Sequence, residues 1–135
     1  MHPRIDARSE RGSVSLFVSV AAVALIAVVG LVFDGRAKVS AMQRADAAAA
    51  EAARAAGQHI AGEDLDGGTS INRSAALAAA YGYLDAAGVD GTVRIIGDTI
   101  TVTTHTSGQT VFLSIVGITT FDATGEATVQ IQTGL

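Results

Sequence analysis

The chain has 135 residues, of which 49% are hydrophobic and 4% aromatic, and its mean hydropathy is +0.40. This length allows one modest core at most. A net charge of −4 argues against a nucleic-acid-binding surface. The chain contains no cysteine, which excludes disulfides, thiol nucleophiles and thiolate metal sites.

The N-terminal part of the chain reads as a tail followed by a membrane span. Residues 1–13 mix basic and acidic side chains without an apolar pattern, which predicts a disordered tail. Residues 14–33 contain no charged side chain, and about 20 apolar residues suffice to cross a bilayer as a helix. A cleaved leader is the alternative, but its apolar region is usually only about 7–15 residues long. We therefore predict an uncleaved single-pass anchor.

The orientation of this anchor is not decided by charge. Three basic residues lie close to each end of the apolar run, so the positive-inside rule favours neither side. We expect a cytoplasmic tail and an extracytoplasmic head at the cell membrane. Ala24, Ala27 and Gly30 would allow close contact with another helix, although they also fit an ordinary apolar span.

Residues 34–60 are predicted to continue the same helix beyond the membrane. The segment is rich in alanine and contains no proline, and its apolar positions recur at spacings of three, four and seven. Two interpretations of this stripe stay open: it packs on its own head, or it packs against copies of itself or related subunits. The stripe is the candidate assembly face, and it comprises Val39, Met42, Ala49, Ala53, Ala56 and Ile60.

Residues 61–135 are predicted to form a small α+β head. Residues 61–70 read as an acidic loop that matches a calcium-binding loop poorly, because Arg73 falls where the bidentate glutamate belongs. Residues 72–87 are predicted to be a helix that ends at Gly88. Gly97 and Asp98 then predict a two-residue type II′ hairpin turn, in which Ile95 faces Ile100 and Val93 faces Val102.

The last part of the head contains one ambiguous segment and one clear strand. Residues 109–118 are apolar on almost every side, so a buried strand, a segment at the bilayer surface and a short helix compete. We favour the short helix because Gly117 offers an end. Residues 121–132 alternate as a strand, and Gly125 suggests a bulge or bend. The fold class is thus a long transmembrane helix continuing into a head with a second helix and about three antiparallel strands.

No arrangement of side chains in the sequence indicates catalysis. His59 and His105 lack partners at ligand spacing, and neither serine nor glycine patterns match nucleophile or phosphate-loop motifs. We therefore expect no enzyme activity, no cofactor, no metal and no small-molecule substrate. An anchored hydrolase would require clustered polar residues in a pocket of the head.

Several segments resemble a family of membrane proteins. They are Arg11-Gly12-Ser13-Val14 leading into the span, Val32-Phe33-Asp34-Gly35 at its end, Gln43-Arg44-Ala45-Asp46-Ala47, Glu51-Ala52-Ala53-Arg54-Ala55-Ala56-Gly57, Tyr83-Leu84 with Gly88-Val89, and Thr110-Val111-Phe112-Leu113 with Gly117-Ile118. Together they resemble the TadE/TadG-like pilus-assembly proteins in their short actinobacterial form. The resemblance covers almost the whole chain, and its N-terminal part is the more specific.

The resemblance implies a pilin-like or pseudopilin-like component of a Flp/Tad pilus or a related secretion system. Its partners would be the membrane and other pilus or platform subunits, including copies of itself. Processing in such proteins would fall between Gly12 and Ser13. One position departs from the pattern, because Phe17 stands where pilins often carry a glutamate that helps processing and registration. This departure favours a minor component that keeps its anchor.

A different class of function remains an alternative. In it, the chain is an anchored extracytoplasmic binding module whose head recognises a ligand or a cell-wall component. The assembly interpretation and the binding interpretation differ in whether the stripe or the head makes the essential contact.

Overall fold

A computed structural model of the chain describes residues 7–61 and 72–131, with side chains described from residue 12 to 59 and from 72 to 131. Helix α1 (Ala7–Ala61) is continuous over 55 residues, which corresponds to a rod of about 80 Å. Residues 7–13 are therefore helical and not part of a disordered tail as predicted. The predicted continuation of the helix beyond residue 33 is present without a break. The acidic loop with its calcium pattern lies outside the described residues.

Helix α2 (Arg73–Ala87) has the ends that its sequence predicts. The Asn72 side chain accepts a hydrogen bond from the Ala75 amide, and Gly88 ends the helix in the left-handed conformation with φ of 65°. The buried residues of α2 are Ala76, Ala80 and Leu84. Tyr81 is 44% exposed and lies at the margin of this buried face, where its hydroxyl accepts a hydrogen bond from the Val93 amide.

Strands β1 (Asp90–Ile96) and β2 (Thr99–Gln109) form the predicted hairpin. Their register pairs Ile96 with Thr99, Ile95 with Ile100 and Val93 with Val102, as the turn chemistry predicts. Gly97 has a φ of 61°, whereas no non-glycine residue of the described chain has a positive φ. Positive φ at the first central residue alone is the type II′ pattern. The local sequence was sufficient here because turn and alternation agree.

Strand β3 (Thr120–Gln130) pairs antiparallel with β2 and completes a sheet of order β1-β2-β3. The pairing runs through Gly125 without interruption, so the suggested bulge is wrong. Gly125 has another reason to be glycine. A Cβ there would overlap the backbone of Ala45 and Asp46, so β3 packs directly against α1.

The core lies between the two helices and one face of the sheet. Ala49, Ala53 and Ala56 of α1 pack with Leu84 of α2 and with the inward residues of the hairpin, Val93, Ile100 and Val102. Small alanine side chains let the helix approach the strands closely. The buried Thr104 hydroxyl donates 2.8 Å to the carbonyl of Ala45, which joins β2 to the helix backbone. The α+β class predicted from the sequence is confirmed.

The β2–β3 connection contains a short 3₁₀ helix (Leu113–Val116) that ends at Gly117 with φ of 89°. Residues 111–118 are called the tip below. The short helix favoured from the sequence is present, although Gln109 still belongs to β2 and the segment is not covered on all sides. Because β3 and α1 run in the same direction, the tip lies beside the apolar part of α1.

Candidate functional site

The tip is attached to α1 by one carboxylate. Asp34 accepts three backbone hydrogen bonds: from Val111 at 2.9 Å, from Phe112 at 3.0 Å and from Leu113 at 2.7 Å. These are amides at the start of the 3₁₀ helix, which have no partner within it. Asp34 therefore caps a helical turn that lies more than 75 residues away in sequence. Its side chain is covered by this contact, with 4% exposure.

The charge state of Asp34 follows from the same contact. Desolvation by burial raises the pKa of the Asp34 carboxyl, but the amides of Val111, Leu113 and Phe112 together outweigh it. The net result is a pKa below the usual aspartate value. The carboxylate is consequently charged at neutral pH and acts as the acceptor of all three amides.

The apolar segment of α1, residues 14–33, packs closely against the tip at Gly30. A Cβ at Gly30 would lie 2.6 Å from the Cβ of Phe112, so only glycine leaves room for this ring. Phe33 packs edge-to-face on Phe112 with a centroid distance of 5.7 Å. Gly30, noted in the sequence as a site for close helix contact, thus contacts the head of its own chain.

Between the tip and α1 is an apolar cavity of about 300 Å³. It is lined from α1 by Val23, Ile26, Ala27 and Leu31, and from the tip by Phe112, Leu113, Ile115 and Val116. The outer side of the tip is also apolar, and Ile115 and Val116 are 82% and 72% exposed. The tip therefore presents large apolar side chains both toward the helix and away from it.

Apart from the contact at Gly30, the apolar segment of α1, residues 14–33, is largely exposed. All thirteen of its large hydrophobic side chains are between 57% and 74% exposed. The helix is long and apolar enough to cross a membrane, and only 6% of its most apolar stretch is buried. This is compatible with a single-pass membrane anchor.

The predicted assembly face is divided by the fold. Ala49, Ala53 and Ala56 are fully buried in the core, so they cannot receive another subunit. Packing on the chain's own head, one of the two open interpretations, is what the structure has at these three residues. Val39 and Met42 are exposed instead, 54% and 42%. The side chain of Ile60 lies outside the described residues.

On the N-terminal side of Ala49, the predicted stripe differs from the buried side of α1. The reason is that alanine occurs on several sides of this helix. The buried side continues through Ala45, Ala41 and Asp34, not through Met42 and Val39. Val39 and Met42 lie beside this buried side, about 120° and 60° around the helix from Ala45, and Val39 is next to Gly35 and Val32. This exposed surface (Val32, Gly35, Val39 and Met42) is called the back face below.

A groove of about 220 Å³ in the described part of the head is lined by polar residues that include Asp90, His105, Ser107 and Asp122. The His105 ring contacts the Thr124 hydroxyl across the strands at 3.5 Å. Within residues 72–131, no hydrogen bond or ion pair joins His105 to a carboxylate or to Ser107. Across the described part of the chain, no three His, Asp or Glu side chains are grouped to hold a metal ion.

The residues of the expected processing position, Gly12 and Ser13, lie within helix α1. His59, the other histidine considered from the sequence, lies in the last turn of that helix. Neither position is brought near the tip or the back face.

No protein-family model matches the chain, and no match was found among curated proteins or solved structures. The geometry alone therefore defines the site. Its main residue, Asp34, was missed in the sequence as a contact to the tip. The available signal was an acid placed directly after an apolar run, where it must be solvated or paired.

Proposed function

We propose that the chain is a membrane-anchored structural component that acts by helix docking in a Flp/Tad-type pilus or a related secretion system. Residues 14–33 form the span, the short N-terminal tail is cytoplasmic, and the head is extracytoplasmic. The resemblance to TadE/TadG-like proteins supports the type of assembly. In this proposal the protein acts as a minor, pilin-like or pseudopilin-like subunit that keeps its anchor.

One observation carries the proposal: the apolar side chains of Val32, Val39 and Met42 in the back face are exposed where the helix leaves the span. The head covers the side of α1 that carries Asp34, Ala41 and Ala45, so Val39 and Met42 remain exposed on a continuous helix. An exposed valine and methionine around a glycine permit close approach of a second helix. The docking surface is thus the back face, and the alanines above it hold the head together.

Site-specific crosslinking tests this docking. A benzophenone amino acid at Val39 or Met42 is expected to give defined adducts with another membrane subunit or a second copy in native membranes. Arg44 is the matched control, because it is exposed on the same helix and lies about 140° around it from Val39. Equal adducts from all three positions, or none from Val39 and Met42, would contradict the proposal.

Anchor and orientation have their own measurement. The intact mass of the membrane-extracted protein is expected to include residues 1–12, whereas a chain starting at Ser13 would show pilin-type processing. Protease added to sealed cells is expected to reach the head and leave the tail. A protected head with a cleaved tail would reverse the proposed orientation.

A second candidate, an anchored binding module, is favoured by a groove between the end of α1 and β3. This open groove of about 550 Å³ combines Arg54 and Gln58 with Thr128, Val129 and Ile131. Under this alternative, Thr128→Trp abolishes binding while Val39→Glu has no effect. Docking through the back face predicts the reverse result for the two variants.

A further inference from the structure

The tip has the composition of a segment that contacts hydrocarbon. Between Gly108 and Phe121 there is no charged side chain, and the exposed residues of the tip include Val111, Ile115, Val116 and Ile118. A cluster of large exposed apolar side chains on a small head indicates an interaction surface. The question is what covers it.

The position of the tip answers this question. It lies along residues 23–31 of α1, which belong to the half of the proposed span next to the head. From Val23 to Phe33 the helix rises about 15 Å, roughly half the thickness of the hydrocarbon core. A segment packed beside those residues occupies the same depth as they do. It cannot be in water if they are in lipid.

Backbone amides of the tip also have hydrogen-bond partners. This suits an apolar environment, in which an unpaired amide is costly. Asp34 accepts from Val111, Phe112 and Leu113. Further along, the amides of Ile115, Gly117 and Ile118 donate to carbonyls within the tip at 3.1–3.2 Å. The Ser114 hydroxyl donates to the Val111 carbonyl, so both of these polar groups have a partner within the tip.

We infer that the tip inserts into the membrane leaflet next to the head, where acyl chains cover Ile115 and Val116 beside the span. This inference rests on the proposed anchor and adds a second membrane contact to it. The occupant is lipid hydrocarbon, because the apolar surface of the tip is continuous with that of residues 23–31. Asp34 marks the level at which the polar head begins. Its hydrogen bonds to the three tip amides hold the tip on the membrane side of that level.

Single tryptophans test the inference, because the chain contains none. The full-length protein is reconstituted in phosphatidylcholine vesicles whose acyl chains are brominated in the middle. Ile115→Trp reports the tip, and Leu25→Trp reports the span on a side away from the tip. Ile96→Trp is the matched control, an exposed isoleucine at the other end of the sheet. Val116→Trp repeats the tip measurement with a second exposed position.

The expected result is strong quenching by brominated lipid and weak quenching by aqueous acrylamide for the tip and span tryptophans, with the opposite for Ile96→Trp. Emission from the tip tryptophans is expected at shorter wavelength than emission from Ile96→Trp. If Leu25→Trp is quenched by lipid but Ile115→Trp and Val116→Trp are not, the inference is wrong and the anchor stands. If none of them is quenched by lipid, the proposed anchor itself fails.

One further outcome would also overturn the inference. A tip tryptophan shielded from acrylamide, insensitive to brominated lipid and exposed on dilution of the protein in the vesicles would show that a second copy covers the tip.

Discussion

At the residue scale, the Asp34 side chain joins two parts of the chain that are distant in sequence. It lies one residue beyond the apolar segment and holds three amides of a distant turn with two oxygens. Hydrogen bonds to a charged acceptor are stronger than those between neutral groups. The tip is therefore positioned by a residue that the sequence alone presents as an ordinary polar end of a span.

Asp34→Asn tests the importance of this charge. The amide group keeps one acceptor oxygen and turns a donor toward the tip, so at least one of the three amides loses its partner. We expect hydrogen exchange at Val111, Phe112 and Leu113 to become faster by about tenfold or more. Asp85→Asn, at an exposed position of α2, is the control and leaves these rates unchanged. Unchanged rates in Asp34→Asn would contradict the capping role.

The lowered pKa of Asp34 predicts a pH dependence with a defined sign. Because the folded pKa lies below the unfolded one, the stabilisation by this carboxylate is complete above about pH 4 and is lost as the pH falls through the folded pKa. Exchange at the three tip amides, corrected for intrinsic rates, is therefore expected to rise relative to α2 below about pH 4. In Asp34→Asn this acid step should be missing.

The same glycine-to-alanine change at Gly125 and at Gly82 tests the close approach of β3 to α1, because only Gly125 lies against another backbone. Gly125→Ala places a methyl group against the backbone of Ala45 and Asp46, so β3 must move away from α1. A loss of about 1–3 kcal/mol in the free energy of unfolding is expected. Gly82→Ala meets nothing within 4 Å in the middle of α2 and should gain about 0.5–1 kcal/mol. Denaturant unfolding of the full chain in detergent measures both, and equal effects would refute the close approach.

At the element scale, the sequence predicted those features that local physics decides. The β1–β2 register followed from Gly97-Asp98 and from alternation, and the ends of α2 followed from Asn72 and Gly88. The buried side of α1 on the N-terminal side of Ala49 could not be predicted from the sequence in this way. Alanine lies on every side of residues 45–56, so periodicity cannot say which side meets the sheet. The contact between Asp34 and the tip is set by tertiary packing, which no local pattern contains.

The buried alanines of α1 give a prediction at this scale. Ala53→Leu adds volume at a fully buried position, so we expect a cost of about 1–3 kcal/mol in the free energy of unfolding. Ala47→Leu, exposed on the same helix, should stay within about 0.5 kcal/mol of the parent chain. Both are measured by denaturant unfolding in detergent. If Ala53→Leu instead abolished subunit contacts without loss of stability, this side of α1 would be an assembly face after all.

At the scale of the whole molecule, α1 contacts the rest of the chain at two levels. The sheet and α2 pack on the alanine-rich part, and the tip packs near Gly30 and Asp34. The two levels lie on the same side of the helix, which leaves the back face free along its length. The rest of the head is therefore joined to α1 at two separate levels.

Gly30→Val is expected to break the contact between α1 and the tip but not the contact between α1 and the sheet. The added side chain occupies the position of the Phe112 ring, so the tip should separate from α1 while the core stays folded. Because the chain has no cysteine, the substitutions Ser40→Cys and Ser114→Cys provide unique sites for attaching spin labels. The distribution of distances between them should broaden in Gly30→Val and stay narrow in Gly35→Val, where the new side chain meets open space. A narrow distribution in both variants would place the tip independently of Gly30.

The uninterrupted helix has a mechanical consequence for the proposed membrane anchor. Because α1 is joined to the sheet at one level and to the tip at another, a sideways force on the head is transmitted to the whole helix as a tilt. A tip inserted in the leaflet as inferred above would resist tilting toward its own side more than tilting in the opposite direction. The anchored chain would therefore have a preferred direction of tilt.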